Sequence, residues 1–230
     1  MTDTEALLQQ LDANPWFARL APVVRHALAA EGRRLRLRAG EFVFRQGDRG
    51  EHFLTLLQGK LKASTLREDG KEAILAVLEP GHWFGEASML DGLPRTHDVI
   101  ASRDSEVLGV DQATFDRLML DNGFARAVCV LQAQHTRLVY RLLEDAMLRS
   151  TRARIASRLE QLARGDGSID GEQRQLVRIS QDELAMMLGI SRQTLSLELR
   201  ELVAGGALEL GYRQLRIVSL ERLREMAAQT

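Results

Sequence analysis

Cys129 is the only cysteine in 230 residues. One thiol cannot close an internal disulfide, and a cysteine-held iron-sulfur cluster needs more ligands than it supplies, so oxygen sensing through such a cluster is excluded. Long apolar runs are missing too: no stretch approaches the roughly 20 residues of a membrane-spanning helix. Met1 to Gln10 carries acids and lacks the basic-then-apolar order of a secretory signal, so a cytoplasmic location is expected. Charge of one sign is also lacking. Lys and Arg number 31 against 32 Asp and Glu, a net charge of −1, and the whole chain carries no basic signature for nucleic acid. From Thr151 onward twelve arginines stand against eleven acids. Any DNA-facing charge there has to come from clustering on one surface.

What is present is an ordinary globular composition, 45% hydrophobic and 27% charged, long enough for two cores. Leu7 to Leu28 places apolar residues at helical intervals, interrupted by Asn14-Pro15 and Ala21-Pro22, which predicts two or three short helices. From Arg34 to Val110 short alternating runs such as Phe53-Leu54-Thr55-Leu56-Leu57 and Ala73-Ile74-Leu75-Ala76-Val77 alternate with glycines, the texture of an antiparallel barrel or roll. Phe124 to Leu148 reads as one long helix. Its stripe of Phe124, Val128, Leu131, His135, Leu138 and Leu142 either packs on its own domain or forms the seam of a parallel homodimer, and the second suits a reader of palindromic DNA. His135 is read as a core histidine with a local partner in preference to a metal or haem ligand. Expected boundaries are residues 1–121 for a sensor, 122–149 for a dimerisation helix and 150–230 for a DNA-binding domain. The stretch Gly165-Asp166-Gly167-Ser168 through Gly171 is expected to be a loop inside the last of these.

Two segments carry chemistry. Phe84 to Thr96 is a glycine-punctuated loop with Glu86, Arg95 and Thr96 at fixed separations. Arg95 offers a planar fork for phosphate oxygens, Thr96 a hydroxyl, and Glu86 an acceptor for a ribose 2′-hydroxyl, which together suit a ribonucleotide. An ion pair between Glu86 and Arg95 that only ties down the loop is the plainer alternative. Ser180 to Glu201 reads as two helices around a tight turn: Ser180 and Glu183 fit a capping box, Gly189 breaks the first helix and Ser191 caps the second. Leu195, Leu199 and Leu202 form its buried side, leaving Arg192, Gln193, Ser196 and Arg200 outward. Arg192 and Gln193 stand at the helix start for base edges, while Ser191, Thr194 and Arg200 suit phosphates. Leu208 to Ile217 alternates as a hairpin would, giving a wing.

With Gly85-Glu86 followed by Arg95-Thr96, and Ile190-Ser191-Arg192-Gln193-Thr194 opening the reading helix, the chain resembles the cyclic AMP receptor protein / fumarate and nitrate reduction regulator superfamily of bacterial transcription factors over nearly its whole length. The resemblance implies an α+β fold: an N-terminal antiparallel β jelly-roll, a long dimerisation helix and a C-terminal winged helix-turn-helix. It implies a cyclic nucleotide ligand, cyclic AMP first and cyclic GMP second, without a metal, and as partners a DNA operator, a second copy of the chain and RNA polymerase. In that family the glutamate takes the ribose hydroxyl while the arginine and following hydroxyl take the phosphate, roles that fall on Glu86, Arg95 and Thr96. Aligned through Arg154-Ile155, Val139 and Tyr140 stand where the cyclic AMP activators carry adenine-contacting threonine and serine, which leaves Thr136 or Tyr140 as base contacts. Leu197 stands where those activators carry a second base-reading arginine, implying a different operator. Two other readings are a constitutive DNA binder with an empty pocket and a metal-dependent phosphohydrolase using His82, Glu86, His97 and Asp98.

Overall fold

The computed structural model describes residues 3–165 and 175–228; the Asp166 to Gly171 part of the expected loop lies outside them. The chain divides into two compact units, Met1–Thr65 with Val77–Thr136, and Leu66–Ala76 with Arg137–Thr230.

The first unit opens with helices α1 (Asp3–Leu11), α2 (Pro15–Ala18) and α3 (Pro22–Glu31). Each proline that interrupts the helical pattern begins the next helix, where its missing N–H costs nothing. The Asn14 side chain accepts from Trp16 and Phe17 N–H to cap α2. Strands β1 (Arg33–Leu37), β2 (Phe42–Phe44), β3 (His52–Leu66), β4 (Glu72–Leu78), β5 (Trp83–Phe84) and β6 (Asp98–Asp111) form one sheet in the order β1-β6-β3-β4, with β2 on β6 and β5 on β3. The β1–β6, β2–β6, β3–β5 and β3–β6 pairs are antiparallel. In register, Phe53 opposes Val110 and Thr55 opposes Leu108, while Leu54 opposes Gly109 and Leu56 opposes Val107 on the other face. Strand alternation therefore sends Phe53, Leu57, Leu108 and Val110 into one core with Leu11, Phe17, Leu28 and Phe115. Both faces are buried here, which is why residues 53–57 read as a continuous apolar run. Burying a side chain such as Phe53, with 0% exposure, contributes about 1.5–3 kcal/mol.

Between β5 and β6 lies helix α4 (Glu86–Asp91), so the segment read as a loop holds a helical turn and a half between two left-handed glycines. After β6 come α5 (Gln112–Met119) and the 27-residue α6 (Asn122–Leu148), which runs from the first unit into the second. Here the structure divides the expected stripe: its first part packs on its own domain, while Leu138 and Leu142 lie outside that core and are half-buried. Phe124, Val128 and Leu131 are buried in their own unit's core, and Trp16 Nε1 donates to Ala127 O on that same stretch of helix. The large apolar side chains α6 leaves exposed in the second unit are Val139, Tyr140, Leu143, Met147 and Leu148; of these Val139, Leu143 and Met147 fall at steps of four, one position on from the expected stripe.

The second unit continues with α7 (Thr151–Ala163), β7 (Leu176–Val177), α8 (Gln181–Leu188), α9 (Arg192–Ala204), β8 (Leu208–Gly211), β9 (Gln214–Ile217) and α10 (Leu220–Ala228). Its core joins Ile155, Leu159, Leu184, Leu195, Leu199, Leu202, Leu215 and Leu223. Strands β8 and β9 are the expected hairpin, and β7 adds a third strand on the β9 side. At the foot of α6, Asp145 accepts from Ser157 at 2.6 Å and pairs with Arg149 at 2.8 Å, fastening α6 to α7. The capping box of α8 is formed in both directions: Glu183 N–H donates to Ser180 Oγ at 3.2 Å and Ser180 N–H to Glu183 Oε2 at 2.8 Å. Ser180→Ala removes one of these bonds and should lower the unit's stability by about 1 kcal/mol, read as a downward shift of the denaturation midpoint at unchanged slope.

Candidate ligand and DNA-binding sites

The sharp turn from β5 into α4 is made by Gly85 at φ 90°, a conformation L side chains rarely adopt. Space excludes a side chain as well, since a Cβ there would sit 2.8 Å from Arg95 Nη1 and 3.1 Å from His52 O. Gly85 thus lets the backbone approach the guanidinium. Arg95 is 5% exposed and points inward. Its Nη1 donates to Gly85 O and its Nη2 to His52 O, each at 2.7 Å. The guanidinium carbon lies 4.3 Å from the centre of the Phe44 ring. Arg95 N–H donates to Asp48 O and Gly47 N–H to Arg95 O, both at 2.8 Å, so the backbone is fixed too. Burial lowers the Arg95 pKa, opposed by the charges of Glu86, Asp48 and Glu51. Arg95 Nε is buried without a hydrogen-bond partner.

A cavity of about 480 Å³ opens beside this guanidinium, lined among others by Arg33, Phe44, Arg49, His52, Leu54 and Arg95. Gly85, Glu86 and Thr96 are outside that lining. Glu86 begins α4 and is 3% exposed; its Oε1 is joined to His135 Nδ1 at 2.7 Å. Thr96 Oγ1 is joined to His97 Nδ1 at 2.9 Å. Burial, and then the positive charge of Arg95, push the His97 pKa down, with Glu86 and Asp98 acting the other way. The structure therefore gathers Gly85, Glu86, Arg95 and Thr96 around one short helix and the approach to β6. Glu86 and Arg95 do not bond each other: the carboxylate turns to His135 and the guanidinium to two carbonyls. Thr136 is exposed and its hydroxyl donates to Gln132 O on its own helix. Tyr140 is 68% exposed in the second unit.

The four groups of the hydrolase reading are committed elsewhere. His82 Nδ1 accepts from Glu79 N–H, Asp98 Oδ1 accepts from Gln46 N–H, Glu86 is bonded to His135 and His97 to Thr96. Among the described residues no three His, Cys, Asp or Glu side chains stand together as metal ligands.

In the second unit Gly189, at φ 64°, ends α8, and the Ser191 side chain accepts from Thr194 N–H to cap α9. Leu195, Leu199 and Leu202 are fully buried. Arg192, Gln193, Thr194 and Arg200 are exposed and Ser196 half-buried, so one face of α9 presents the expected donors. Arg192 pairs with Asp182 across the turn at 3.2 Å, and Glu198 is held by Arg152 at 2.8 Å. Leu197 is 62% exposed on the same helix. At the tip of the β8–β9 hairpin Tyr212 is 91% exposed and Arg213 stands at φ 51°.

Sequence reasoning missed the Glu86–His135 bond and the two carbonyls that hold Arg95. The signal for the first was a polar ring set into an apolar helical stripe; for the second, linear order gives none.

A helix-capped arginine loop in an antiparallel roll, followed by a long helix and a winged helix-turn-helix, defines a two-part regulator with a sensor and a DNA reader. The comparisons agree part by part. Residues 34–122 match the cyclic nucleotide-binding domain and residues 153–226 the Crp-like helix-turn-helix domain. The chain is 32% identical over 223 residues to the cyclic AMP receptor protein of Thermus thermophilus, covering 94% of this chain and 98% of that one. It is 26% identical over 190 residues to the CRP-like cAMP-activated global transcriptional regulator of Mycobacterium tuberculosis, covering 82% and 85%. The fold of FixK2 from Bradyrhizobium japonicum superposes with a TM-score of 0.75 at 21% identity, covering 86% of this chain and 98% of that one. The chain belongs to the CRP/FNR family of transcription regulators, with a cyclic nucleotide-binding domain ahead of a DNA-binding domain.

Proposed function

We propose that the protein is a homodimeric, ligand-gated DNA-binding regulator whose ligand is a cyclic nucleotide, cyclic AMP in the first place. In this reading residues 1–121 are the sensor, 122–149 the dimerisation helix and 150–230 the DNA-binding domain. Arg95 and Thr96 take the cyclic phosphate, Glu86 the ribose and Thr136 or Tyr140 the base; Arg192 and Gln193 read base edges, Ser191, Thr194 and Arg200 secure the backbone, and Ser196 lies on the same DNA-facing side. The observation that carries it is Arg95. A guanidinium buried to 5% exposure, with no carboxylate bonded to it and one nitrogen unpartnered, is a positive charge awaiting an anion. The two relatives at 32% and 26% identity are named for cyclic AMP, which favours it over cyclic GMP. Exposed Val139, Leu143 and Met147 supply an apolar seam for the second copy.

Gating follows from differential affinity. Moving the dimer from mostly incompetent to mostly competent takes about 5 kcal/mol of ligand preference, whereas one hydrogen bond contributes about 1 kcal/mol net. Several contacts have to change together.

A ligand that binds only the folded protein raises its melting temperature. At 100 times its dissociation constant, cyclic AMP should stabilise the protein by about 2.7 kcal/mol, cyclic GMP less, and cyclic dinucleotides least. A larger shift with cyclic GMP or a cyclic dinucleotide would reassign the ligand. No shift with any of them would leave the reading of a constitutive DNA binder.

A further inference from the structure

We propose that Leu197 reads a thymine in the major groove, so that the C5-methyl group of one thymine in each half-site is part of what α9 recognises. The proposal rests on the assignment of α9 to DNA.

At 3.6 residues per turn, Gln193, Ser196, Leu197 and Arg200 stand three, four and seven positions apart and form one stripe along α9. Leu195, Leu199 and Leu202 lie on the opposite side, each at 0% exposure in the core of the second unit. Leu197 is therefore turned away from that core, on the face that carries the donors, and it is 62% exposed. A lone exposed leucine is ordinary on a protein surface. What marks this one is its company. Gln193 and Arg200 are exposed and Ser196 is half-buried, and the stripe contains no acid. Glu198 and Glu201, the acids of α9, fall off the stripe, and Glu198 is bonded to Arg152 at 2.8 Å. A face of donors without a carboxylate complements DNA, and the apolar side chain among them calls for an apolar group in the groove.

The major groove offers one such group. Adenine, guanine and cytosine present hydrogen-bonding edges there, whereas thymine adds its C5-methyl. Against guanine the same leucine would cover the O6 and N7 acceptors without donating to them, and an acceptor stripped of its partner is costly. Leu197 stands in the second turn of α9, near the helix start where a reading helix meets base edges. Val203, the other large apolar side chain that α9 exposes, is in the last turn and only 37% exposed. Residues four apart on a helix have Cβ atoms about 5–6 Å from each other, and successive base pairs rise by about 3.4 Å. The thymine of Leu197 thus lies within about two base pairs of the pair that Gln193 reads.

Operators are selected from a randomised duplex pool by the full chain, with and without cyclic AMP. Each thymine of the selected sequence is then replaced in turn by deoxyuridine, which removes the C5-methyl and keeps the pairing edge, and affinity is read by fluorescence anisotropy. Burial of one methyl group corresponds to about a fourfold change in affinity. One thymine of each half-site should therefore cost the unsubstituted protein about fourfold on replacement, and the others little. Leu197→Ala and Leu197→Gln change an exposed side chain, should leave the melting temperature unchanged, and should bind the thymine and deoxyuridine operators alike. Leu197→Met keeps an apolar side chain of similar volume and should retain most of the difference. A selected operator in which no replacement weakens binding, or an undiminished loss in Leu197→Ala and Leu197→Gln, would overturn the proposal. A pool from which no sequence is enriched would instead remove the DNA-reading assignment of α9, and the role of Leu197 with it.

Discussion

Replacing Arg95 by alanine should abolish nucleotide binding and lower the melting temperature together. Loss of binding follows from the phosphate assignment: truncating one partner of a buried, hydrogen-bonded charge pair costs about 2–5 kcal/mol, so affinity should fall by roughly 30-fold to several thousand-fold. Loss of stability follows from the structure. The guanidinium ties Gly85 O to His52 O, joining the start of α4 to the start of β3. Hydrogen bonds to a charged group contribute about 1.5–3 kcal/mol each, and alanine leaves both carbonyls short of a donor. Arg95→Lys separates the effects: a single ammonium keeps the charge but cannot span both carbonyls as a planar fork does. Calorimetry for affinity and thermal melting for stability should show alanine deficient in both and lysine intermediate. Unchanged affinity in a folded Arg95→Ala protein would refute the phosphate assignment.

Arg192→Ala should remove most discrimination at one base pair of the operator while leaving the fold intact. Arg192 is the first residue of α9, capped by Ser191, and its side chain is 66% exposed. Its present partner is Asp182 at 3.2 Å, also exposed. Such a surface pair is worth at most about 1 kcal/mol, so exchanging it for guanine O6 and N7 is cheap, whereas a good bidentate base contact gives about 1–3 kcal/mol of discrimination. Specific affinity should therefore fall by roughly 5- to 150-fold, with little change in binding to unrelated DNA or in melting temperature. An unaltered operator preference would remove Arg192 from the reading role.

How much was legible in the sequence depended on whether each signal was local. The capping box, the Gly189 break and the Leu195, Leu199, Leu202 side of α9 are set by spacing within a few residues, and the structure has them all. The prolines marked helix starts for the same reason. The roll was visible as alternation and turn glycines, but not its strand order, because register comes from pairings as distant as His52 with Asp111. The stripe of α6 could not be divided from the sequence, because a period of 3.5 looks the same whether it meets its own sheet or another chain; Phe124, Val128 and Leu131 meet the core of their own unit. Glu86, Arg95 and Thr96 were singled out by their types and order. Their actual partners, His135 49 residues away from Glu86 and His52 43 residues away from Arg95, are products of folding that no local pattern encodes.

The central claim is that a nucleotide at Glu86 and Arg95 governs what α9 does on DNA. Operators selected from a randomised duplex pool, labelled and titrated with the full chain by fluorescence anisotropy, test it directly. The account predicts affinity at least about tenfold tighter with saturating cyclic AMP, a coupling of about 1.4 kcal/mol or more, and no such gain in Arg95→Ala. Identical operator affinity with and without cyclic AMP would contradict it.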